Sequence, residues 1–196
     1  MVWRRCLPSA SAYWLSGGAA AVIDLLAPGL RIVFCGTAKG TISARTGSFY
    51  ANPSNRFYRT LHETGLTPER IDPADFRRLL DYGIGLTDLN QVESGMDRGL
   101  SAKHFDLQGF REKMLRCRPK LVAFTSLTAA RIFFADRTIG CGPLETGIGD
   151  IPVVALPSTS GANAHWTRDR HHWYQVQTLI CRAENPSWGE EQKATE

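Results

Sequence analysis

Compact apolar runs alternate along the chain with stretches whose apolar residues recur every three to four positions. Arg31–Cys35, Ile84–Leu89, Leu121–Thr125 and Ile151–Leu156 are the compact runs, the pattern of strands buried on both faces. Between them, Ser54–Glu63 puts Phe57 and Leu61 on one helix face, and Phe105–Arg116 aligns Leu107, Phe110 and Met114. Leu127–Phe134 reads as a further helix. Asp72-Pro73 predicts a helix start with proline in the first turn and Phe76, Leu79 and Leu80 inward. Ala19–Leu26 reads as a short helix ended by Pro28-Gly29, and His165–Cys181 as one closing helix. Gly36 to Pro53 is rich in Gly, Thr and Ser and reads as a long polar loop.

Strands alternating with helices predict an α/β domain: a three-layer αβα sandwich around a mainly parallel, four-stranded sheet with right-handed crossovers. Such sheets bind ligands beyond the carboxyl ends of their strands. A ligand is therefore expected at the loops Gly36–Pro53, Asp88–Gly99 and Pro157–His165.

Composition narrows this picture without changing it. A chain of 196 residues with 43% hydrophobic and 21% charged residues fits one folded domain, expected over residues 19–183. Residues 1–18 look irregular, and 184–196 look like a flexible acidic tail. That tail holds four Glu and one Lys, so removing it leaves 22 basic and 15 acidic side chains, a body of +7. The excess favours a polyanionic partner. No uninterrupted apolar run of about 18 residues exists, so no membrane span is expected. The apolar stretch near the N-terminus is broken by Asp24 and lacks a small-residue cleavage site, which predicts a cytoplasmic protein. Cys6, Cys35, Cys117, Cys141 and Cys181 form no Cys-x-x-Cys pair and read as reduced thiols. His165, Asp169 and His172 match no standard metal spacing.

The segment after the first strand, Gly36 to Tyr58, is neither a phosphate-binding P-loop, since no Gly-Lys-Ser/Thr follows Lys39, nor a Gly-x-Gly-x-x-Gly dinucleotide loop. Its residues Gly36, Thr46-Gly47, Tyr50, Pro53, Asn55, Phe57 and Tyr58, followed much later by Leu156-Pro157-Ser158-Thr159-Ser160, form two ordered motifs. Tyr82–Leu89 lies between them. This arrangement resembles the mismatch-specific uracil/thymine DNA glycosylases, a branch of the uracil-DNA glycosylase superfamily, over roughly Leu26 to Cys181. The branch begins its first motif with Gly-Ile-Asn-Pro-Gly, whose Asn positions the hydrolytic water. Here Ala38 stands at that position, and a methyl group cannot hold a water.

The resemblance implies the uracil-DNA glycosylase fold. It also implies a monofunctional enzyme that extrudes uracil, or a related deaminated base, and hydrolyses its bond to deoxyribose. No metal or redox cofactor would be needed, the partner would be uracil-containing DNA, and a monomer would suffice. A non-catalytic binder of damaged DNA and a nucleotide hydrolase are the alternatives. Such a reaction needs a stacked base, donors for the departing anion and a positioned water. Gly36, Thr37, Ala38 and Ser158 would line the base pocket and Tyr50 would stack on the base, with a core aromatic as its plain reading. Asp88, at the end of strand two, would read the base or activate the water, unless it is a loop-start residue or helix cap. Asn52 and Ser43 are further candidates for water or base, with an Asx turn as the alternative for Asn52. Lys39, Arg45, Arg56, Ser160, His165 and Arg168 would contact DNA phosphate, as would Arg59 and Arg170. Ala162, Asn163 and Ala164 would fill the gap left by the base, with Gly161 beside them at the DNA, although small side chains make a poor plug.

Overall fold

A computed structural model describes residues 24–96 and 99–185. The expectations for residues 1–18, for most of Ala19–Leu26 and for the tail beyond Asn185 lie outside them. At the described end of the expected first helix, Leu25 instead bridges Leu86 in antiparallel fashion.

Among the described residues, five strands form one sheet: β1 (Ile32–Lys39), β2 (Ile84–Ser94), β3 (Val122–Phe124), β4 (Gly142–Pro143) and β5 (Val153–Ala155). Their order is β2-β1-β3-β5-β4, and only β4 runs antiparallel, against β5. Four of the five are the strands predicted from the apolar runs, so the fold class stands and the strand count is corrected to five. The two-residue β4 has no pattern to read. It exists because Gly142 and Pro143 pair with Ala155 and Val154 at the sheet's edge.

The helices are α1 (Thr41–Thr46), α2 (Phe57–Glu63), α3 (Leu107–Cys117), α4 (Leu127–Phe134), α5 (Trp166–Asp169), α6 (His171–Tyr174) and α7 (Val176–Glu184). Asp72 caps its helix by accepting from the Ala74 amide at 2.8 Å. The element it starts, Pro73–Tyr82, is a 3-10 helix with Phe76, Leu79 and Leu80 buried. The single closing helix is corrected to three pieces. The course stays helical at Arg170 and Gln175, but the bonds Trp173 N to Arg170 O and Gln175 N to His172 O tighten to i→i−3 steps.

Two aromatic clusters cover the two faces of the sheet. Phe34 of β1 stacks on Trp173 and meets the edge of Phe57 on one face, with ring centroids at 5.4 and 5.3 Å. On the other, Phe124 of β3 packs with Phe110 of α3 and Phe133 of α4 at 5.7 and 5.5 Å. The strand parity that separates these clusters also sorts the polar residues at the strand ends.

The predicted polar loop Gly36–Pro53 is shorter than expected. β1 continues to Lys39 because Gly36 and Ala38 pair with Asp88 and Asn90 of β2. α1 then takes six more residues and ends at Gly47 with φ 68°.

Candidate active site at the carboxyl ends of the strands

Parallel partners point their side chains to the same face. Gly36 pairs with Asp88, and Ala38 with Asn90. Asp88 is therefore brought to the first motif, on the face that carries Phe34 and Phe57. It is buried, 5% exposed, and its carboxylate lies against the Gly36 backbone, where a Cβ would collide with Oδ1 and come within 3.5 Å of the Tyr50 hydroxyl. Glycine here makes room for the carboxylate.

Tyr50 reaches this spot from the loop after α1 in a left-handed conformation, φ 51°. A non-glycine residue there costs on the order of 1 kcal/mol. In return the ring lies flat on Phe57, with centroids 3.9 Å apart and an interplanar angle of 20°. Thr125, just past β3, donates its one hydroxyl proton to the Cys35 carbonyl at 3.2 Å. The Tyr50 phenol therefore donates to Thr125 Oγ1, at 3.0 Å. Burial first, then the nearby Asp88 charge, pushes the Tyr50 phenol well above its ordinary pKa. Burial, then Asp88 and Asp24, does the same to the Cys35 thiol. On the opposite face Thr37 and Ser126 share a hydrogen bond of 3.0 Å.

Ser43 and Asn52 are arranged differently. Ser43 is buried, and its hydroxyl accepts from the Ala51 amide at 3.0 Å, fixing the loop that carries Tyr50. Asn52 is exposed and spends its carbonyl on the Ser54 amide and hydroxyl, at 3.0 and 2.9 Å. That is the Asx-turn geometry. Lys39 is buried at the end of β1, 7% exposed, while Arg45 is exposed at the end of α1.

The segment after β5 is joined to the first motif. Gly161 packs on Ser54, whose Cβ would lie 2.6 Å from a Cβ added at 161. The Arg56 amide donates to Thr159 O at 2.9 Å and its guanidinium to Ser160 O at 2.8 Å, while the guanidinium also lies 5.5 Å from the centre of the Trp166 ring. Ser158 is held internally, its hydroxyl accepting from the Ser160 amide and its carbonyl from Asn163 Nδ2. Asn163 Oδ1 in turn accepts from the His165 amide at 2.9 Å. Ala162, Ala164 and His165 are exposed at the tip. Arg168 is exposed but tied to Asp169, at 2.6 and 2.9 Å, so its charge is shared with a carboxylate.

Two clefts stand out, and neither borders Tyr50. One of about 500 Å³ is edged by Thr128, Arg131 and Arg137. The other, about 90 Å³, lies between α2 and α5 and gathers Arg56, Arg59, Trp166 and Arg170. Among the described residues, no three His, Cys, Asp or Glu side chains are grouped to hold a metal ion.

The family model of the Uracil DNA glycosylase superfamily matches residues 23–179. The chain belongs to this superfamily. The fold also resembles the solution NMR structure of a protein from Methanosarcina acetivorans provisionally assigned as a uracil DNA glycosylase. The TM-score is 0.57 at 20% identity, and the match covers 83% of this chain and 96% of that one.

Read as a superfamily member, the chain holds two polar residues at its sheet edge that the sequence did not single out, Thr125 and Asn90. Thr125 ends a predicted strand on the ligand-binding edge, a signal that could have found it. Asn90 is fully buried two residues past Asp88. No helix among the described residues is long and apolar enough to cross a membrane.

Proposed function

We propose that this protein is a DNA glycosylase that extrudes uracil, or a related deaminated base, and hydrolyses its N-glycosidic bond to leave an abasic site. It is a relative of the mismatch-specific uracil/thymine branch in which Ala38 has replaced the water-holding Asn. The observation that carries this reading is Asp88, buried against Gly36 on the face that also carries Ala38. That position lets a carboxylate do what the missing amide would do.

Asp88 holds a water below the sugar and accepts its proton as the water oxygen bonds to C1′. The glycosidic bond breaks, and its electron pair leaves on the base nitrogen. Asp88 is assigned to the sugar rather than the base edge because a carboxylate there would repel the departing uracil anion. The Tyr50 ring, backed by Phe57, stacks on the base. Backbone groups of Gly36 to Ala38 and the Ser158 hydroxyl meet the base. Arg45, Ser160 and His165 contact the DNA backbone. Ser43 and Asn52 shape the loop through the bonds already described, which supports Asp88 over either of them as the group that holds the water.

The second reading is a protein that binds damaged DNA without excising the base, and Ala38 is the observation that favours it. One assay separates them. The protein is incubated with uracil-containing single- and double-stranded DNA and with free deoxyuridine nucleotides, and free uracil and alkali-labile sites are measured. Release from DNA is the expected result. Binding without release supports the second reading, and release from free nucleotides alone contradicts both.

A further inference from the structure

A bulge at the end of β2 displays apolar side chains in solvent beside the site. Ala38 pairs with Asn90, but the next residue of β1, Lys39, pairs with Ser94, so Gln91, Val92 and Glu93 have no partner on β1. Such an excursion is normally soft. This one is braced from several sides. Asn90 Oδ1 accepts from the amides of Val92 and Glu93, at 3.1 and 2.9 Å, and its Nδ2 donates to Glu93 Oε2 at 2.8 Å. The Ser101 amide donates to the same Glu93 oxygen at 2.8 Å, and His104 Nδ1 lies 3.0 Å from the other. Gln91 is tied to Asp24, and the Gly95 amide returns to Lys39 O at 2.8 Å. A wholly buried Asn and a carboxylate with three partners thus hold Val92 76% exposed, with Met96 80% exposed just beyond.

What is unusual is not the exposure of Val92 and Met96 but the number of hydrogen bonds that hold the bulge presenting them. The strand order sets the scale. β2 and β5 are three strand spacings apart, about 14 Å. The bulge and the Ser158–His165 loop therefore flank the site from opposite sides, close enough to engage one duplex. The second loop offers only Ala162, Asn163 and Ala164 at its tip, too little to occupy the space of a lost base. Exposed Lys103 lies on the turn packed against the bulge through His104, a cation where a phosphate would pass.

The geometry points to Val92, seconded by Met96, as the apolar wedge that enters the duplex beside the extruded nucleotide. This assignment rests on the glycosylase reading, and its occupant is double-stranded DNA. A wedge unstacks neighbouring base pairs and holds the duplex open while the base is outside. A single strand has no such stack to replace, so its processing does not need the wedge.

The test is the double variant Val92→Ser/Met96→Ser, with Val92→Leu as the conservative companion. Both positions are exposed, so melting temperatures should match the wild type. Excision of uracil from duplex should fall tenfold or more in the double variant while excision from a single strand stays within about twofold, and Val92→Leu should keep duplex activity. In parallel, 2-aminopurine placed beside a stable abasic-site analogue should brighten on binding wild type and much less with the double variant. An unchanged duplex-to-single-strand ratio, with wild type active on both, overturns the wedge alone. A wild type that releases no uracil from either substrate overturns the glycosylase reading and the wedge with it.

Discussion

Asp24 and Asp88 are buried to the same degree, 5% exposed each, and β2 serves both. Their surroundings differ. Asp24 receives the Lys113 ammonium at 2.7 Å, the Thr87 hydroxyl at 2.7 Å and the Gln91 amide. Its charge is matched and its oxygens are engaged, so it ties α3 to β2 on the far face of the sheet. Asp88, one residue along from Thr87, lies on a glycine and beside a phenol, one step past the end of β3. On the proposed reading, Asp24 fastens α3 to β2 and Asp88 serves the chemistry. Thr87, which donates to Asp24, and Asp88 are neighbours on β2 and so point to opposite faces.

Breaking the two sites should give opposite signatures. The largest effect belongs to Asp88→Asn: single-turnover uracil release should fall by about 10²–10³-fold, some 3–4 kcal/mol of barrier, while the melting temperature hardly moves. Lys113→Met should do the reverse. Leaving the Asp24 charge without its cation should cost about 2–3 kcal/mol of stability, discounted for the partial exposure of Lys113, with excision per folded molecule unchanged. Urea titration beside the same assay distinguishes the two. Tyr50→Ala should weaken base capture by about 2 kcal/mol, roughly 30-fold. An unchanged rate would make Tyr50 a core aromatic only. Gly36→Ala is the finer probe, since its methyl must displace the Asp88 carboxylate and should lower excision about tenfold through misplacement alone.

The smallest effect is on pH dependence. Cys35, Tyr50 and Tyr58 have pKa values raised by burial, so their neutral forms are favoured in the folded state. The stability this represents is complete below the unfolded-chain values, about 8.5 for Cys and 10 for Tyr. It is lost as pH rises beyond them, because the unfolded chain then releases protons that the folded chain keeps. Urea midpoints should therefore be level from pH 7 to 8 and fall between about pH 9 and 11. In Tyr58→Phe the fall should be shallower.

The strands that read clearly from the sequence were those whose burial is apolar on both faces, such as Ile32–Cys35 and Val122–Phe124. β1 was read too short because Gly36, Thr37 and Lys39 look like loop. They are strand because β2 runs beside them and supplies the hydrogen bonds, a tertiary fact. Asp88 is legible because it lies near the end of the apolar run Ile84–Leu89, but the expected strand end there is corrected: β2 continues to Ser94. Asn90 is not legible, since its role of bracing a bulge depends on a register shift that no spacing encodes. Arg56 carried a phosphate expectation from its charge. Its guanidinium donates to Ser160 O, a contact made across 104 residues of sequence, and lies over the Trp166 ring.

The most direct measurement is a structure of the protein bound to DNA carrying a non-hydrolysable deoxyuridine analogue. It should show a water within hydrogen-bond distance of an Asp88 carboxylate oxygen and beneath C1′, with the base against Tyr50. A water held there by another side chain, or a base that never approaches Gly36, would contradict the assignment of Asp88.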